Sequence, residues 1–140
     1  MRIGRGGPGA PLIAGAAYFA AVFAVAFALG VLRVLVIAPR LGAVPAVLLE
    51  APVVLGVSWG VCRWCVARLS VPSTIGARLV MGASAFAILM AAEGGLGLLA
   101  FGRSVADQLA AFHTLAGAIG LTAQIGFGLI PLAGVVRRRT

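Results

Sequence analysis

Four polar residues interrupt otherwise apolar stretches, and their types are those that pair with one another, bind ions or move protons: Arg33, Glu50, Glu93 and Gln124. An ionisable group at the centre of a membrane-length run costs about 2.5–3.5 kcal/mol, so each one calls for a partner or a function. A guanidinium and a carboxylate make an ion pair. A second carboxylate, left over, can take a proton or a cation, and an amide can hydrogen-bond it. Two more residues could carry redox chemistry, because Cys62 and Cys65 form a Cys-x-x-Cys around Arg63 and Trp64. Such a pair is helped by a helix N-terminus, which favours the thiolate, whereas this one falls near the C-terminal end of an apolar run, where the dipole acts the other way. It reads as two small apolar side chains, with thiol-disulfide exchange as the alternative. The run Arg137-Arg138-Arg139 suits anionic lipid headgroups at about 1 kcal/mol per residue, or a plain topology anchor. His113 has no companions, and zinc needs about four ligands. Neither a nucleophile elbow, a metalloprotease motif nor a phosphate-cradling glycine loop occurs. No catalytic residue, metal site or cofactor is expected, and the chain is read as non-enzymatic.

The elements that must hold these residues follow from composition. Hydrophobic residues make up 62% of the 140 residues and charged ones 10%, against roughly 45–50% and 25% in a soluble domain. Mean hydropathy is +1.15. Four apolar runs are evident, at about 11–38, 44–66, 79–101 and 114–136, each long enough for roughly 30 Å of hydrocarbon at 1.5 Å per residue. The expected fold is an all-α membrane protein, one domain built as a four-transmembrane-helix bundle. Pro52, Gly94, Gly95 and Pro131 inside the runs would weaken soluble helices, but membrane helices tolerate them. Arg2 and Arg5 ahead of the first run resemble the start of a signal peptide. That run exceeds the usual apolar core of about 7–15 residues, so it is expected to stay as a span.

All eleven basic residues are arginine and only three residues are acidic, which gives a net charge of +8. Nucleic acid is not the expected partner, because a basic face on a polar body is missing and the arginines flank apolar runs. They act as topology signals. Arg2, Arg5, Arg63, Arg68, Arg78, Arg137, Arg138 and Arg139 would share one side, and Arg33, Arg40 and Arg103 the other. The positive-inside rule then puts both termini in the cytoplasm (N-in, C-in). The lipid bilayer is the first partner; a membrane-protein partner or a second copy is the next expected.

Counted from the span ends, Arg33 lies roughly 8 Å deep, Glu50 roughly 9 Å, Glu93 roughly 12 Å and Gln124 roughly 15 Å, all in the outer half and one on each span. The short loop 39–43 makes the first two spans an antiparallel hairpin, so Arg33 and Glu50 can pair. At about 4 Å and an effective dielectric of about 20 their attraction is roughly 4 kcal/mol, comparable with the insertion cost. Glu93 is then left over, with Gln124 as its hydrogen-bond partner. The cluster is either structural glue or a proton, ion or ligand site. Gly82, Phe86, Leu89, Glu93 and Gly97 share one helix face, as do Gly117, Gly120, Gln124 and Gly128, so a close helix approach near Gln124 is expected. In the last loop, Ser104 and Asp107 match a capping box, with Val105, Leu109 and Phe112 on one face; a short interfacial helix is expected at 104–112. Trp64 fits an interfacial anchor, whereas Tyr18 and Trp59 look deeper.

Gly30-x-x-Arg33, Ala38-Pro39-Arg40-Leu41-Gly42, Glu50-Ala51-Pro52, Ser58-Trp59, Ala92-Glu93 and Phe101-Gly102-Arg103-Ser104 together resemble a group of small bacterial four-span membrane proteins with no assigned activity. The resemblance covers most of the chain and implies a bacterial inner-membrane setting and nothing catalytic. The expected function is an accessory or structural subunit of a membrane complex. The alternative is a small oligomeric proton- or cation-linked transporter or channel using the outer Glu/Arg cluster.

Overall fold

The structure is a computed structural model, and it describes the backbone of residues 7–139 and the side chains of 7–137. Every regular element among these residues is helical. Helix α1 (Ala10–Leu32) continues through a π-helical segment, Arg33–Ile37, into the short α2 (Ala38–Leu41). These three form one rod, Ala10–Leu41. Then come α3 (Ala43–Arg68), α4 (Ile75–Leu99), the short α5 (Val105–Ala111) and α6 (Leu115–Arg139). Four rods are long and apolar enough to cross a membrane. The chain is a multi-pass helical membrane protein.

Two boundaries differ from expectation for physical reasons. The loop expected at 39–43 contracts to Gly42, whose φ of +92° is open to glycine and strained for other residues. Helix persists up to it because the hydrogen-bond ladder shifts register just before Pro39, where the Ala38 amide reaches back to the Arg33 carbonyl. Such a π segment is a usual way for a helix to absorb an interruption. The third span begins at Ile75, four residues early, because the Thr74 hydroxyl caps it by accepting the Ala77 N–H at 3.2 Å. Arg78, expected in a loop as a topology signal, therefore lies inside α4 and is buried.

The helices form a ring in the order α1, α4, α6, α3. Since successive rods reverse direction, α1 runs parallel to α4 and α3 parallel to α6, while α3 and α4 stand on a diagonal. Their connection crosses the end of the bundle and inserts Val71, 5% exposed, into the core. Glycines set the two closest approaches. A Cβ on Gly82 would strike the Gly128 carbonyl, and one on Gly15 would strike Ser84 and the Met81 carbonyl. The close α4–α6 backbone contact thus forms between the two expected stripes at Gly82 and Gly128, one turn from Gln124. Gly117 instead abuts the Ala111 carbonyl of its own turn.

The packed core lies in the half that carries the termini: Ala14, Tyr18, Val22, Cys62, Cys65, Met81, Ala85 and Phe127. The other half is looser. Large apolar side chains such as Leu48, Leu49, Val53 and Leu129 face outward around the bundle, where lipid would cover them.

Candidate functional site

The turn at Gly42 sets the first pair. Arg33 lies nine residues before it and Glu50 eight after it, so the rise of 1.5 Å per residue brings them to one depth. Arg33 Nε and Glu50 Oε2 form an ion pair, with side chains 34% and 16% exposed. The second pair joins the antiparallel neighbours α4 and α6, where Gln124 Nε2 donates to Glu93 Oε2 at 2.5 Å. Both expected partnerships form.

The surroundings of the four residues were not expected. They line an open cavity of about 1000 Å³ at the α5 end of the bundle, and also a contiguous pocket of about 140 Å³ beneath it that reaches down to Phe127. Glu93 is exposed into this space. The Gln124 amide oxygen is buried and meets no donor among the described residues. Most of the wall is apolar, with Phe23 and Phe27 on α1 and Leu96 on α4. The size and the mixture of apolar wall with few polar groups match those of small-molecule sites.

Helix α5 forms the rim. Its capping box is complete: the Asp107 N–H donates to Ser104 Oγ at 3.0 Å, and the Ser104 N–H donates to Asp107 Oδ2 at 3.2 Å. The Ser104 side chain, then its amide, then the Arg103 charge hold the Asp107 carboxyl below its usual range. Gln108 ties α5 to α4 by donating to the Gly94 carbonyl at 3.4 Å, and its amide rests on Gly97, where any side chain would collide with it. Val105 and Leu109 are exposed and line the mouth of the cavity.

The other expected residues lie elsewhere. Cys62 and Cys65 are free thiols, 4% and 0% exposed, in the core of the opposite half, where no exchange partner can approach. Trp64 is exposed with the Arg68 guanidinium 5.7 Å from its ring, as suits an interface, and Arg137 lies over Trp59 at 5.9 Å. The side chains of Arg138 and Arg139 lie outside the described residues, as do Arg2 and Arg5. Among the described residues no group of three or more His, Cys, Asp or Glu could hold a metal.

Two residues mattered more than the sequence reading allowed. Pro131 has no N–H, so the Phe127 carbonyl four residues earlier loses its helical donor. The Tyr18 hydroxyl supplies one at 2.7 Å, and the two rings stack with centroids 4.4 Å apart. Arg78, 4% exposed, donates to the Pro131 and Pro72 carbonyls at 3.2 Å each. The signals were present in the proline, whose orphaned carbonyl requires a donor, and in Thr74 as a helix cap. No family model, no curated protein and no solved structure matches the chain.

Proposed function

We propose that the chain is a non-enzymatic membrane protein that works by taking a small proton-linked or cationic ligand into the cavity over Arg33, Glu50, Glu93 and Gln124, as a transporter or channel-like carrier does. The observation that supports this is that the cluster lines space. Residues serving only to fix helix register are best enclosed and fully satisfied, whereas here Glu93 is exposed and Gln124 keeps an unused acceptor. The arginine distribution favours both termini in the cytoplasm, which turns the cavity outward, and the resemblance to small bacterial four-span proteins supports an inner-membrane setting.

Reconstituted vesicles test the reading. Protein-containing vesicles are expected to dissipate an imposed proton or monovalent-cation gradient faster than empty ones, and Glu93→Gln to remove the difference. A variant as fast as the parent would take Glu93 out of the path. The accessory-subunit reading draws on the same apolar wall, which could seat a helix of a membrane partner. Mild-detergent purification from native membranes would then yield a larger complex, and a bare monomer would count against it.

A further inference from the structure

From the charge balance at the floor of the cavity we infer that its ligand is a protonated amine on an apolar body, held with the ammonium group between Glu93 and Gln124. This deepens the binding reading above and rests on it. Arg33 is engaged by Glu50. Arg103 also lines the cavity, on the rim side next to Ser104, and its charge is felt by Asp107. One cation therefore faces two carboxylates at the floor, and Glu93 is the acid without a full counter-charge. Gln124 satisfies one Glu93 oxygen with a neutral N–H, which adds no positive charge.

Outside the Arg33–Glu50 ion pair, the floor holds an unmet acceptor. The Gln124 amide oxygen is a buried acceptor without a donor, and the Glu93 carboxyl that Gln124 bonds can accept further. Buried acceptors lacking donors are costly, so the matching ligand group must donate N–H or O–H. An ammonium group meets both requirements, since it carries the missing positive charge and up to three donors. A quaternary ammonium supplies the charge alone, an alcohol supplies a donor alone, and a carboxylate supplies neither. Phe23 and Phe27 on α1 and Phe101 and Phe112 near the rim line the same cavity. Their ring faces suit an apolar or aromatic body, and Phe23, which also lines the lower pocket, can face a cation. A space of about 1000 Å³ admits one drug-sized molecule.

The test uses the full chain in phosphatidylcholine nanodiscs at neutral pH, with binding of tritiated phenylbutylamine read against empty nanodiscs. Phenylbutanol, phenylbutyrate and the trimethylammonium analogue serve as competitors. The amine is expected to bind at least about tenfold more tightly than the alcohol, in line with one charge-assisted hydrogen bond. The trimethyl analogue should fall between them, and phenylbutyrate should not compete. Glu93→Gln should bring amine and alcohol to equal affinity. An alcohol or carboxylate that competes as well as the amine would overturn the amine assignment while leaving the cavity a binding site. A trimethyl analogue equal to the amine would overturn the need for N–H donors. No binding by any of the four would overturn the cavity reading and the amine assignment together. If Glu93→Gln fails to fold, the order of the four compounds on the parent chain decides the matter alone.

Discussion

In the half of the bundle that carries the termini, polar side chains are buried and matched to backbone carbonyls. Tyr18 completes the carbonyl that Pro131 orphans, Arg78 reaches two more, and Ser58 bonds Val54 at 2.6 Å. In the half that carries α5, the polar residues pair with each other and face open space. Both halves place charge or hydroxyl inside membrane-length helices, which is costly unless the groups are satisfied. They differ in what remains unsatisfied. The terminal half resolves its groups internally and gains a fixed structure; the α5 half leaves an acceptor and a carboxylate for something that is not part of the chain.

That contrast can be broken from the packed side first. Gly82→Leu would drive a side chain into the Gly128 carbonyl, and a loss of about 3 kcal/mol is expected from unfolding in mixed micelles. Tyr18→Phe keeps the ring stack but leaves the Phe127 carbonyl buried without its donor, and should cost about 1–3 kcal/mol in the same assay. A change near zero would mean that the carbonyl finds another partner and that the terminal half is looser than described.

Two smaller effects sharpen the other side. Ser104→Ala removes the cap of α5 and should cost about 1 kcal/mol locally, read as faster amide exchange in 105–111 with the core unchanged. Acid should act on the same helix through Asp107. Its carboxyl is held below the usual range in the fold, so its contribution is fully present above the ordinary value of about 4 and is lost as pH falls through the lowered one. Exchange in α5 that rises only at neutral or alkaline pH would have the wrong sign. Smallest of all, Glu93→Gln should change stability by no more than about 0.5 kcal/mol, because the side chain is exposed into the cavity and a glutamine can keep the bond from Gln124. A large loss would return Glu93 to the role of structural glue.

Much of the local structure was legible because it depends on short-range rules. Equal spacing from the turn put Arg33 opposite Glu50, the leftover acid found the amide of the next span, and Ser-x-x-Asp marked the start of α5. What was not legible depends on how the rods are arranged. Ring order is invisible to hydropathy, and it is the ring that lets Tyr18 reach Phe127 across 109 positions of sequence. The cavity is a property of the same arrangement, since the glycine contact draws the α4 and α6 backbones together at Gly82 and Gly128, while beside Gln124 the two helices meet through side chains. Arg78 was misplaced for a simpler reason: a hydropathy boundary follows apolar residues, while a helix begins at its cap.

The central claim is that solvent and solute enter the α5 half and not the terminal half, and thiol reactivity measures that directly. Cys62 and Cys65 are built-in reporters of the packed half, and Ala26→Cys places a third thiol on the wall of both cavities. With a membrane-impermeant trimethylammonium methanethiosulfonate added to oriented vesicles, the new cysteine should be modified rapidly from the α5 side, while the native pair stays unmodified until the protein is denatured. A cysteine at 26 as inert as the native pair, or a native pair that reacts equally well in the folded protein, would contradict the account.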